Sequence, residues 1–177
     1  MGKTVLLTGR PRVGKTTIIK DLVARLPGKA GGFYTEEMRE AGERVGFRLV
    51  TLDGREGILS HVNSKSTRRV SKYGVELEAL ETIGVEAIQR AIADCDYVVI
   101  DEIGKMELYS RKFKDVVLEA VNSAVSVLGT VTMAPEPWVE LLKRHPNVQV
   151  IEVTYANRNH LGQNILDLMS SSPRCRR

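Results

Sequence analysis

The chain has 177 residues, 42% hydrophobic and 27% charged, with a formal net charge of +4. This suits a single domain over 1–177 with a real core, because a domain of about 150 residues buries roughly two thirds of its unfolded surface. The mild positive charge favours polyanionic ligands but falls short of the field of a dedicated nucleic-acid binder, so nucleic acid is not expected as a partner. Cys95 and Cys175 build neither a disulfide framework nor a zinc site, and a reducing, cytoplasmic setting fits. No apolar run approaches the 18 to 20 or so residues of a membrane span, so no membrane partner is expected.

In chain order, Lys3 to Thr8 reads as a short apolar strand, and Thr17 to Leu26 carries Ile18, Ile19, Leu22, Val23 and Leu26 at helical spacing. Between them lies Gly9-Arg10-Pro11-Arg12-Val13-Gly14-Lys15-Thr16, which fits the phosphate-loop pattern G-x-x-x-x-G-K-[ST]. Glycines let the backbone wrap phosphate oxygens, the lysine reaches the terminal phosphates and the hydroxyl of Thr16 holds magnesium. The helix that opens at Thr16 and Thr17 adds free N–H groups and the positive end of its dipole. With the loop complete by Thr16, no leader peptide is expected.

Gly31 to Arg39 and Gly46 to Leu52 read as strands joined through a turn at Ala41-Gly42-Glu43, with a third β-like piece at Gly57 to Val62. The region from about Gly31 to Tyr73 is therefore expected to form a small antiparallel insert. Its basic loop, with Lys65, Arg68, Arg69 and Lys72, is either a lid over a nucleotide or a solvated charge run. Val75 to Ala93 is helical in spacing, interrupted at Gly84. Three apolar runs follow, Tyr97 to Ile100, Val125 to Val131 and Val148 to Val153. They alternate with helix candidates near Arg111 to Asn122, Glu136 to Arg144 and Asn157 to Ser170. This alternation predicts an α/β fold, a mostly parallel sheet with helices on both faces and ligands beyond the carboxyl ends of the strands. The tail from about Ser170 to Arg177 is expected to fray.

Val98-Val99-Ile100 runs straight into Asp101-Glu102, as a buried parallel strand does when it ends beside a metal and phosphate site. Asp101 is the expected magnesium ligand with Thr16, and Glu102 the group that orients or deprotonates attacking water. Lys105 is either a cationic clamp on the transferring phosphoryl group or a surface lysine. Thr130 and Thr132 flank a strand end where a hydroxyl can sense the terminal phosphate. Asn157 is expected to cap the last helix. His61, His145 and His160 lack metal-ligand spacing. Met106, Leu108 and the helix face of Trp138, Val139, Leu141 and Leu142 are expected in the core.

Lys15-Thr16-Thr17, Gly32-Phe33-Tyr34-Thr35-Glu36-Glu37, Gly46-Phe47, Asp101-Glu102-Ile103-Gly104-Lys105-Met106-Glu107-Leu108 and Asn157-Arg158-Asn159 together resemble the THEP-type nucleoside-triphosphatase family of P-loop proteins. The resemblance spans nearly the whole chain. It implies a RecA-like domain in which another strand separates the loop strand from the acidic strand. The implied activity is slow, magnesium-dependent hydrolysis of ATP, GTP and other nucleoside triphosphates with weak choice of base, by a monomer. Carried over by position, the nucleotide site comprises Gly9 to Thr17, the acidic segment Val98 to Lys105 and Arg158, which stacks on the base or touches phosphate. Lys15, Glu102 and Lys105 would be catalytic. Family loops usually read like GPPGVGKT, so Arg10 and Arg12 are departures that add charge beside the phosphates. Two other functions share these residues: a nucleotide or metabolite kinase, and a nucleotide-gated RNA-binding module.

Overall fold

A computed structural model describes residues 2–170. Strand β1 (Thr4–Thr8) shows how the molecule is layered: its side chains alternate between two cores, Leu6 entering one and Val5 and Leu7 the other, all at most 1% exposed. Helices α1 (Lys15–Arg25) and α6 (Leu161–Ser170) cover the second core through Ile19, Leu22, Ile165, Leu166 and Met169. The first core is covered by α3 (Glu86–Asp94), α4 (Arg111–Asn122) and α5 (Pro137–Lys143). Ser110 caps α4, its hydroxyl accepting the Phe113 N–H at 3.1 Å.

The remaining strands are β2 (Ala30–Glu40), β3 (Glu43–Thr51), β4 (Glu56–His61), β5 (Arg69–Val70), β6 (Tyr73–Val75), β7 (Tyr97–Ile103), β8 (Ser126–Val131) and β9 (Val148–Glu152). They form one nine-stranded sheet in the order β5-β6-β4-β3-β2-β7-β8-β1-β9. Pairs among β2, β7, β8, β1 and β9 are parallel, and the pairs on the β3 side are antiparallel. The mostly parallel α/β sheet with an antiparallel portion is therefore as expected, and β8 is the strand expected between β1 and β7.

Strand β2 belongs to both portions. Ala30 to Tyr34 pairs in parallel with β7, while Phe33 to Glu40 forms the hairpin with β3. Ala41 and Gly42 turn that hairpin with positive φ, 47° and 83°, as two-residue hairpin turns demand. The loop expected through Lys72 contains the two residues of β5, which pair with β6.

Three local expectations need correction or refinement. The interruption at Gly84 is a π-helical turn (Leu80–Val85) between a short α2 (Leu77–Ala79) and α3. Leu141, assigned to the core face of α5, is 69% exposed; Val139 and Leu142 are buried and Trp138 packs on the core edge. The final helix begins at Leu161, not Asn157. Asn157 instead stitches the preceding turn: its side chain accepts the Thr154 N–H at 2.8 Å and donates to the Glu152 carbonyl at 2.9 Å. The predicted frayed tail beyond Ser170, including Cys175, lies outside the described residues.

Gly32 is the tightest point between β2 and β7. Its φ is +114°, and an added β-carbon would lie 2.0 Å from the Val99 carbonyl oxygen. Both strain and collision act on Gly32→Ala, so it is expected to cost on the order of 3 kcal/mol or more, read as a lowered urea midpoint at unchanged slope.

Candidate active site

The loop between β1 and α1 has the conformation an anion cradle requires. Gly9, Arg12 and Gly14 all have positive φ, 149°, 63° and 109°. Gly14 is the N-cap of α1 in the left-handed region, where a glycine is unstrained, and the first N–H groups of the helix lack partners from within it. Lys15 lies across the loop mouth, its Nζ donating to the carbonyls of Gly9 at 2.8 Å and Arg10 at 3.1 Å. An ammonium in that place is set to exchange carbonyl oxygens for phosphate oxygens.

Asp101 is 2% exposed at the carboxyl end of β7. Its Oδ1 accepts the Thr130 hydroxyl from neighbouring β8 at 2.5 Å, whereas its Oδ2 is buried with no hydrogen-bond partner. Burial pushes its pKa up, against the hydroxyls of Thr130 and Thr16 and the charges of Lys15 and Lys20, which favour the charged form. An orphaned oxygen on a buried carboxylate that also feels the Thr16 hydroxyl is a fitting place for a hard divalent cation, which takes oxygen ligands and lowers a carboxylate's pKa again. Among the described residues no cluster of three or more His, Cys, Asp or Glu forms a metal cage. That suits magnesium, which takes only one or two carboxylates and completes its shell with phosphate and water.

Glu102 follows in a peptide bond that is cis, where the ladder with β8 shifts register between Ile100 and Ile103. It is half-buried, and burial and the Asp101 charge raise its pKa while Lys15 pulls it down. A carboxylate with a raised pKa beside a charge cluster is suited to accept a proton.

Several predicted residues meet here: Lys15 and Thr16 at the end of the loop, Asp101 and Glu102. Others do not touch the opening. Val98, Val99, Ile100 and Ile103 are 0% exposed and divided between the two cores, so they position the acids without reaching a ligand. Gly104 is buried, its N–H donating to Glu107. Lys105 is exposed and faces a separate cavity of about 450 Å³ with Arg69, Tyr109 and Glu136. Thr130 holds Asp101, and Thr132 accepts the Ala134 N–H at 3.1 Å. Thr17 and Arg158 line a cavity of about 620 Å³ with Gly14, Arg25 and His160. Arg158 is tied to the loop through the Val13 carbonyl at 3.4 Å and lies 5.1 Å from the Tyr155 ring.

Three contributors are absent from the sequence expectations. Tyr34 pairs in register with Asp101, whose charge, after burial, raises the phenol's pKa. Lys20 lies 5.2 Å from the Tyr34 ring and pairs with Glu36 at 2.6 Å, tying α1 to β2. Glu107 is 4% exposed, and its Oε2 accepts the Gly104 N–H at 3.1 Å. Its pKa is pushed up to about 8, first by burial and then by the Glu102 charge. A neutral Glu107 leaves Glu102 free to carry the negative charge. An acidic side chain between Met106 and Leu108, two apolar residues expected in the core, was the available signal.

Glu107 is protonated in the fold up to about pH 8 but ionises near 4.5 when the chain unfolds, so stability falls as pH rises through that window. Glu107→Gln removes the loss while keeping an acceptor for the Gly104 N–H. Relative to the native chain it is expected to gain at least about 1.4 kcal/mol between about pH 5 and pH 8, the worth of one pKa unit, in urea unfolding at both pH values.

The profile of the NTPase family matches residues 4–166. A nucleoside-triphosphatase THEP1 of Thermotoga sp. (strain RQ2) is 50% identical over 165 residues, covering 93% of this chain and 94% of that protein. The crystal structure of THEP1 from the hyperthermophile Aquifex aeolicus superposes with a TM-score of 0.86 at 36% identity, over 94% of this chain and 98% of that one. The solution structure of a human cancer-related nucleoside triphosphatase gives 0.80 at 36% identity, over 98% and 100%. The fold is that of the P-loop NTPases, and the chain belongs to the NTPase family.

Proposed function

We propose that this protein hydrolyses nucleoside triphosphates, with magnesium, to the diphosphate and phosphate. The observation that carries the reading is the convergence of a buried, half-satisfied Asp101 and its neighbour Glu102 on the Lys15-Thr16 end of the phosphate loop. The family relatives named as nucleoside triphosphatases support it.

In this reading the loop N–H groups and Lys15 bind the β- and γ-phosphates, and Thr16 and Asp101 hold magnesium. When bound, the ion would supply positive charge beside the phosphate oxygens. Glu102 orients a water in line with the γ-phosphorus and takes its proton as the oxygen attacks. The bond to the β–γ bridging oxygen breaks and the electron pair leaves with the diphosphate. Thr130 keeps Asp101 aimed at the metal.

The base and ribose occupy the cavity beside Arg158. A guanidinium face accepts any base by stacking, in keeping with weak base selectivity. With Lys105 facing its own cavity, Lys15 is the one cationic side chain assigned to the transferring phosphoryl group, and turnover is expected to be slow.

Glu102→Gln is expected to retain nucleotide binding while phosphate release falls about a hundredfold to ten-thousandfold, the usual contribution of a positioned proton acceptor. Lys15→Ala is expected to weaken binding itself. Phosphate release with and without magnesium, beside equilibrium binding, separates the two; undiminished turnover in Glu102→Gln contradicts the assignment.

A further inference from the structure

Arg12 has two aspects. Its backbone takes φ +63° within the phosphate loop, while its exposed side chain lines a different space. That space is a cavity of about 330 Å³ between the loop, the tip of the β2–β3 hairpin and the β5–β6 turn, lined by Arg12, Arg39, Glu43, Arg44, Lys72 and Tyr73 among others.

Two of the cations around it are fixed by ion pairs, and the surplus positive charge comes from Arg12 and Lys72. Arg44 donates to the Tyr73 hydroxyl at 2.8 Å and to Glu37 at 3.0 Å, and lies 5.1 Å and 5.5 Å from the Phe47 and Tyr73 rings. Arg39 donates to the other oxygen of Glu37 at 2.7 Å and to the Gly42 carbonyl at 3.0 Å. One carboxylate thus serves two guanidiniums. Lys72 lies 5.7 Å from the Tyr73 ring, and among the described residues neither it nor Arg12 pairs with a carboxylate. Glu43 is the one acid in the lining. Two fixed guanidiniums with the unpaired charges of Arg12 and Lys72 beside them form an open positive surface that matches the oxygens of a phosphate group. At about half the volume of the Arg158 cavity, it suits phosphate groups better than a base with its ribose.

We propose that this cavity is a second anion subsite, which takes one phosphate group more than the phosphate loop holds. Resting on the nucleotide reading of the loop, the inference extends the ligand class from nucleoside triphosphates to molecules with an additional phosphate. That phosphate is either the fourth of a longer nucleotide tail or belongs to a separate inorganic anion. Arg12 joins the two subsites, since its main chain belongs to one and its side chain to the other.

Isothermal titration of the full chain in EDTA, where turnover is suppressed, tests this with adenosine 5′-tetraphosphate, ATP, and pyrophosphate added to the ATP-saturated protein. The tetraphosphate is expected to bind about tenfold tighter than ATP if the phosphate lies on the tail, whereas pyrophosphate is expected to bind the ATP complex if it is separate. Either advantage is expected to shrink to within about twofold in Lys72→Gln, with ATP affinity unchanged, and to fall likewise in Arg12→Gly; thermal unfolding confirms that both variants fold. Equal binding of tetraphosphate and ATP together with no pyrophosphate binding overturns the subsite, as does an advantage that survives both substitutions. Failure of the native chain to bind ATP, or undiminished ATP binding in Lys15→Ala, strikes the loop reading itself and is a distinct result.

Discussion

A carboxylate buried at the end of a parallel strand is the constraint from which the site follows. Asp101 has one oxygen satisfied by Thr130 and the other by nothing, in surroundings that oppose its charge. A buried charge without a full set of partners is costly and is ordinarily neutralised or paired. The sheet order supplies the means. Because β8 lies between β1 and β7, the phosphate loop and the acids are two strands apart, roughly 10 Å at ordinary strand spacing, with Thr130 rising between them. In the proposed complex that gap would hold a phosphate and a hydrated cation, the cation balancing the carboxylate's charge.

The neighbouring acids divide the remaining charge. Besides burial, the Asp101 charge raises the pKa of Glu102, and the charges of Glu102 and Asp101 raise that of Glu107, so all three cannot be ionised cheaply. Glu107, buried and accepting the Gly104 N–H, is the one pushed furthest toward its protonated form. Glu102, only half-buried and near Lys15, is the one able to exchange a proton with a ligand. In the proposed reaction, position along one short segment would thus separate three carboxylic side chains into a metal ligand, a proton acceptor and a neutral support.

Much of this was legible in the residues. The loop spacing, the strand ending in Asp101-Glu102 and the alternation of strands and helices are local patterns, and local patterns survive folding when tertiary packing agrees with them. What was not legible depends on register and direction. Thr130 reads as a hydroxyl for the terminal phosphate until β8 is paired with β7, which puts it on Asp101 instead. Tyr34 becomes part of the site only because β2 continues the parallel sheet, a double role hidden by the hairpin it also forms. Asn157 has the chemistry of a helix cap, but the chain spends Asn157 to His160 on a turn before α6 begins. Lys105 is close to Asp101 in sequence, yet the exposed turn after β7 aims it at another cavity.

Thermal unfolding of the native chain and Asp101→Asn, with a non-hydrolysable triphosphate and with or without magnesium, tests the central claim most directly. The account predicts that magnesium stabilises the native complex through mass action and that this increment disappears in Asp101→Asn, while the ligand-free variant is at least as stable as the native chain. A full magnesium increment in Asp101→Asn would contradict it.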